Sequence, residues 1–99
     1  MARIYNRRDY RWVETVLVNG KTLTSSYNHN YYQNINTGEI ILEDCDDADC
    51  FDYSSITCDG EEHYIGSLFC WWGIFPNEKG ELPDDVDEEE DGGVEVYDC

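Results

Sequence analysis

Positive charge is scarce in this 99-residue chain: six Lys and Arg stand against 23 Asp and Glu, for a net charge of −17. Residues 1–38 carry Arg3, Arg7, Arg8, Arg11 and Lys21 against only Asp9 and Glu14, whereas residues 39–99 carry 21 carboxylates and one cation, Lys79. Most of the surface therefore repels phosphate, which argues against nucleic acid or an anionic membrane as ligand and for a basic protein partner. Long apolar runs are missing as well. The longest, Leu68 to Phe75, is too short to span a bilayer. The opening Met-Ala-Arg-Ile-Tyr-Asn-Arg-Arg lacks the apolar stretch of a secretory signal, so a cytoplasmic address with mostly reduced thiols is expected.

Recognisable chemistry is equally thin. No register through Asp44–Glu62 meets the EF-hand pattern of alternating oxygens, sixth-position Gly and twelfth-position Glu. Cys45, Cys50, Cys58 and His63 are not spaced as paired zinc knuckles, so no metal site or other cofactor is expected. The five cysteines, Cys45, Cys50, Cys58, Cys70 and Cys99, are odd in number and read best as small buried hydrophobes. No glycine loop cradles phosphate. The many carboxylates share one solvated environment, whereas acid–base catalysis needs two in different ones. A Cys58–His63 nucleophile pair has nothing else to mark a site. No catalytic residue is assigned, and an enzyme is not expected.

Aromatic content is high enough to expect a folded domain over residues 1–99 in spite of the charge. The fold class expected is mainly β, a small antiparallel meander of hairpins with at most one or two short helical segments. Trp12–Val18, Asn19-Gly20 and Lys21–Tyr27 form the strongest hairpin signal, because Asn-Gly supplies the two positive φ angles of a type I′ turn. Counting outward pairs Val18 with Lys21, Val16 with Leu23 and Trp12 with Tyr27. Thr15, Thr22 and Thr24 then face away from the core. Tyr31–Ile35 and Glu39–Glu43 predict a second hairpin around Asn36-Thr37-Gly38, with Gly38 in the left-handed position. Asp is a poor strand former, so a loop or a helical turn is predicted near Asp46–Tyr53. A third hairpin is predicted around Asp59-Gly60, joining Ser54–Cys58 to His63–Phe69. Leu68–Phe75 reads as a central strand buried on both faces, Pro76–Gly80 as a turn, and Val94–Tyr97 as an edge strand.

Two acidic blocks remain as the functional signal. One holds Glu43, Asp44, Asp46, Asp47, Asp49 and Asp52; the other, within an 82–93 segment expected to be ordered by packing or by a partner, holds Asp84, Asp85, Asp87, Glu88, Glu89, Glu90 and Asp91. Such blocks repel themselves, so folding alone gives no reason to assemble them. Same-face residues of a strand lie about 6.6 Å apart, close to the spacing of phosphates along one strand. Carboxylates also accept bidentate contacts from Arg as phosphates do. Phe51, Tyr53 and Tyr97 are the aromatic anchors expected beside them. In size, acidity and the blocks Glu43–Asp52 and Asp84–Asp91, the chain resembles the small acidic DNA-mimic inhibitors of bacteriophages, the anti-restriction and anti-CRISPR proteins. That resemblance implies a stoichiometric inhibitor, acting in the bacterial cytoplasm, that blocks the DNA- or guide-binding groove of a CRISPR effector nuclease or restriction enzyme. The alternatives are an acidic decoy for another basic protein, a small-molecule sponge lined by the aromatics, and a cysteine-rich zinc-binding protein.

Overall fold

The computed structural model describes residues 2–47, 50–69, 75–82 and 93–97. It is mainly β and antiparallel, with one turn of 3-10 helix at Arg7–Asp9. The strands are β1 (Ala2–Asn6), β2 (Tyr10–Val13), β3 (Thr15–Val18), β4 (Lys21–Thr24), β5 (His29–Asn34), β6 (Ile40–Asp47), β7 (Cys50–Ile56), β8 (Glu62–Phe69) and β9 (Gly93–Tyr97). Seven of them make one sheet in the order β1-β9-β8-β7-β6-β5-β2, while β3 and β4 pair separately.

That order forces the sheet to roll. Six interstrand steps of about 4.8 Å would set β1 and β2 about 29 Å apart if the sheet were flat. Yet four Cα steps join Asn6 to Tyr10, and these reach at most about 14 Å. The two edge strands therefore come round towards each other, and the Tyr5 and Tyr10 rings meet edge to face at 6.1 Å. Irregular pairing between Asp44 and Asp47, and between Tyr53 and Ser54, supplies bulges that bend the strands they interrupt.

Rolling divides the apolar residues into two layers. Tyr10, Tyr32, Ile41, Tyr53, Ile65 and Phe75 fill the inside, with Tyr5 and Trp12 packed against them. Tyr31, Ile40, Leu42 and Ile56 lie on the outside, where Val18 and Leu23 of the β3–β4 hairpin cover them. Strand alternation explains the division, because Ile41 and Glu43 point one way along β6 while Ile40, Leu42 and Asp44 point the other.

The hairpins stand where the turn residues put them. Asn19 and Gly20 have φ of 48° and 79°, the type I′ signature, and Val18 pairs with Lys21 and Val16 with Leu23. Gly38 takes its left-handed φ of 80° between β5 and β6. The Asp59-Gly60 connection joins β7 to β8, and Asn77–Glu81 closes as a turn through Gly80 N–H to Asn77 O and Asn77 N–H to Glu81 O.

Four expectations are corrected. Trp12 pairs with Tyr32 and not with Tyr27, because the chain bends at Glu14 and the outer half of the hairpin folds over the sheet. Ser25 Oγ marks the bend, donating to Val13 O and accepting from Tyr31 N–H. The described residues of Asp46–Tyr53 are strand and not the expected loop or helical turn: β6 runs to Asp47 and β7 begins at Cys50, so sheet pairing overrides the low strand propensity of Asp. Val94–Tyr97 belongs to β9, which lies inside the sheet between β1 and β8; the edge strands are β1 and β2. Cys58 is an exposed free thiol and not a buried hydrophobe, since it sits in the β7–β8 turn. Of the apolar run, Leu68 and Phe69 end β8, residues 70–74 lie outside the described residues, and Phe75 reaches the interior from a loop.

Candidate functional site

Inside the roll, an apolar wall carries one acid. Glu43 is 2% exposed, and among the described residues its carboxylate is held by neutral donors. Tyr53 OH donates to Oε2 at 2.7 Å, Tyr32 OH to Oε1 at 2.9 Å, and Asn30 Nδ2 to Oε1 at 3.3 Å. Trp12 Nε1–H orients the Asn30 amide by donating to its Oδ1 at 2.9 Å. The sheet builds this constellation by register: Asn30 lies opposite Glu43 on β5, Tyr53 opposite it on β7, and Tyr32 two residues along from Asn30 on the same face.

Burial raises the pKa of Glu43 above its ordinary value, and the three hydrogen bonds only partly offset that rise. The Tyr32 and Tyr53 phenols are pushed well up, first by burial and then by the charge of Glu43 beside them. Tyr10 is raised too, by burial and by its hydrogen bond to Glu39.

The network opens onto a cleft of about 410 Å³ between the inner face of β2, β5 and β6 and the loop of residues 75–82. That loop crosses to the β2 edge, where Trp12 N–H donates to Pro76 O and Glu14 N–H to Glu78 Oε1. Phe75 anchors it in the core, with its ring 4.4 Å from that of Tyr32 and 5.8 Å from that of Tyr10.

No known family, curated protein or solved structure matches this chain.

The acidic block Glu43–Asp52 is divided by the strand alternation. Glu43 and Tyr53 point inward and are buried, so neither is a surface contact, contrary to the role expected of them. Asp44 and Asp52 lie directly opposite each other on the outer face, in a row that runs from His29 on β5 through Asp44 and Asp52 to Ser67 on β8. Asp52 is exposed and Asp44 half-buried, with Asp44 Oδ2 3.5 Å from His29 Nε2. Glu62, opposite Ile56 on β8, adds an exposed carboxylate to that face. Burial, followed by the charges of Glu62 and Asp44, raises the Tyr31 phenol on the same face.

Asp46 and Asp47 close β6, Phe51 lies in β7 opposite Leu68, and Tyr97 pairs with both Ser67 and Ala2. Asp49 and the run Asp84, Asp85, Asp87, Glu88, Glu89, Glu90 and Asp91 lie outside the described residues. Charge-block reasoning places Glu43 among the surface acids and misses its interior position. Its signal was available: Glu43 shares strand parity with Ile41 in an otherwise apolar Ile40-Ile-Leu run.

No helix among the described residues is long and apolar enough to cross a membrane.

Proposed function

We propose that this protein is a stoichiometric, non-catalytic inhibitor that binds a basic nucleic-acid-binding protein and occupies the surface that would otherwise hold phosphates. The observation that carries this reading is the Asp44–Asp52 pair. Two carboxylates face each other across neighbouring strands on the outer face, with Glu62 on the same side. Directly opposed like charges disfavour the sheet, so folding alone does not account for them. Arg and Lys of a partner turn that repulsion into attraction, and carboxylates present them with the oxygen geometry they use on phosphate. The excess of 23 acids over six cations extends the same field over the chain. By its resemblance to phage DNA mimics, the partner is a host defence nuclease, a CRISPR effector or a restriction enzyme, in the bacterial cytoplasm.

The test is competition on such a purified nuclease across a salt series, with the nucleic acid as competitor. Two charge-reversed variants, Asp46→Lys/Asp47→Lys/Asp49→Lys and Glu88→Lys/Glu89→Lys/Glu90→Lys, separate the two acidic blocks. Binding is expected to be exclusive with nucleic acid, to weaken steeply with salt, and to fall more for the first triple than for an equal reversal on a non-contact face. A ternary complex in which inhibitor and nucleic acid sit together on the nuclease refutes the reading.

A further inference from the structure

The cleft beside Glu43 is chemically unlike the rest of the acidic surface. Trp12, Tyr27, Tyr32 and Phe75 give it aromatic walls, Glu43 stands in its inner wall and Glu81 in its outer one. A carboxylate offers about four lone-pair positions. Among the described residues, the donors to Glu43 are two phenols and an amide, which occupy three of them and bring no positive charge. A buried anion solvated only by neutral groups draws a cation to any space that reaches it, because the low-dielectric surroundings screen its charge poorly. Aromatic faces add to the attraction, and a planar guanidinium both stacks on a ring and bonds a carboxylate along its edge. Tyr27 stands at the lip and is 79% exposed, so it meets an entering group without disturbing the core.

We propose that this cleft is a receptor for a guanidinium group, the side chain of an arginine presented by the basic partner protein, stacked against Trp12 and Tyr27 and drawn inward by Glu43 and Glu81. The proposal rests on the reading that the partner is a basic protein, and it gives that partner a buried anchor on the inner side of the sheet, opposite the outer-face carboxylates. An inserted arginine held by aromatics and a desolvated acid gives a fixed orientation that exposed carboxylates cannot give, since each exposed pair contributes little.

The experiment needs no partner. The isotope-labelled full chain is titrated with N-acetyl-arginine amide and followed by NMR at the Trp12 indole N–H, assigned by comparison with Trp12→Phe, and at the Asn30 side-chain amide. Saturable shifts at both are expected, with a Kd on the order of 1 mM, as suits so small a fragment. The uncharged isostere N-acetyl-citrulline amide is expected to leave both resonances in place. Glu43→Gln should weaken the arginine probe by about tenfold or more, the loss expected for one charge-assisted hydrogen bond. The exposed Tyr27→Ala and Glu81→Gln keep the test valid if Glu43→Gln does not fold, and each should weaken binding severalfold. A capped Gly-Arg-Gly peptide should bind at least as tightly as the amide, because a protein side chain must enter with its backbone attached. Equal binding of the citrulline analogue, unchanged affinity in the Tyr27 and Glu81 variants, or exclusion of the tripeptide overturns the proposal. Arginine binding without any competition between this protein and nucleic acid on a nuclease would refute the mimicry reading alone. Competition without arginine binding would refute the cleft alone.

Discussion

Replacing Tyr53 by Phe removes one oxygen from the centre of the molecule and leaves the packing otherwise as it was, since Tyr53 is fully buried. The hydroxyl is the donor that Glu43 Oε2 receives at 2.7 Å, while Oε1 has both Tyr32 at 2.9 Å and Asn30 at 3.3 Å. A hydrogen bond to a charged group contributes ~1.5–3 kcal/mol, and a neutral one ~0.5–1.5 kcal/mol. The substitution should therefore cost ~1.5–3 kcal/mol where Glu43 is ionised and approach the neutral figure where it is protonated. Tyr32→Phe should cost less, because Oε1 keeps Asn30.

The pH profile follows from the direction of the Glu43 shift. Its folded-state pKa lies above the ordinary value of 4.5, because burial outweighs its hydrogen bonds. Below the ordinary value both folded and unfolded chains hold the proton, and Glu43 contributes no pH dependence. Between the ordinary and the raised pKa the unfolded chain has released the proton while the folded one retains it, so stability falls as pH rises through that window. Above the raised pKa the loss is complete and constant. Losing the Tyr53 donor removes an influence that lowers the pKa, which extends the window upward and enlarges the final loss. Urea unfolding of both proteins from pH 5 to pH 8 measures this as a gap that widens with pH. A gap of the same size at every pH would mean that Tyr53 acts through packing alone, and no gap at pH 8 would mean that Glu43 is not held as described.

Other perturbations test other parts of the fold. Gly20→Val forces a β-branched residue to a φ of 79° and should cost more than about 1 kcal/mol in urea unfolding, even though no neighbouring atom lies within 4 Å of the added Cβ. Asp52→Asn relieves the repulsion with Asp44 and should stabilise the isolated protein by ~0.2–1 kcal/mol at low salt, with the gain shrinking as salt is added; a loss of stability would reveal a structural role for Asp52. Phe75→Ala empties the space between the Tyr10, Tyr32 and Tyr53 rings and should cost ~3–5 kcal/mol by thermal or urea unfolding, a smaller cost meaning that the 75–82 loop is not anchored there.

What could be read from the residues alone was local. The Asn19-Gly20, Gly38 and Asp59-Gly60 connections depend on backbone preferences of a few neighbouring residues, and those preferences survive in the folded chain. The β5–β6 and β7–β8 pairings follow from the last two, because strands joined by short turns pair with their neighbours, whereas the β6–β7 pairing runs through the segment where a loop or helical turn is expected. The broad inequality of charge also needs no structure to be seen. Trp12 shows where local reasoning stops. Extending the Asn-Gly ladder outward gave it Tyr27, but the bend at Glu14 gave it Tyr32, since a partner distant in sequence offered Trp12 a place in the core.

Tertiary structure decided which side of each strand became the inside. Alternation along Ile40-Ile-Leu-Glu-Asp44 sends Glu43 and Asp44 to opposite faces, but alternation is silent about which face will close. The pairing of β1 with β9, between segments near opposite ends of the chain, and the three-residue link from β1 to β2 roll the sheet around Tyr10, Tyr32 and Tyr53. That rolling takes Glu43 out of water and raises its pKa, while Asp44 and Asp52 stay on the outer face as a repelling pair. Two adjacent acids in one sequence block thus acquire opposite chemistry. Desolvation depends on what surrounds a side chain in three dimensions, and the composition of its own segment does not contain that information.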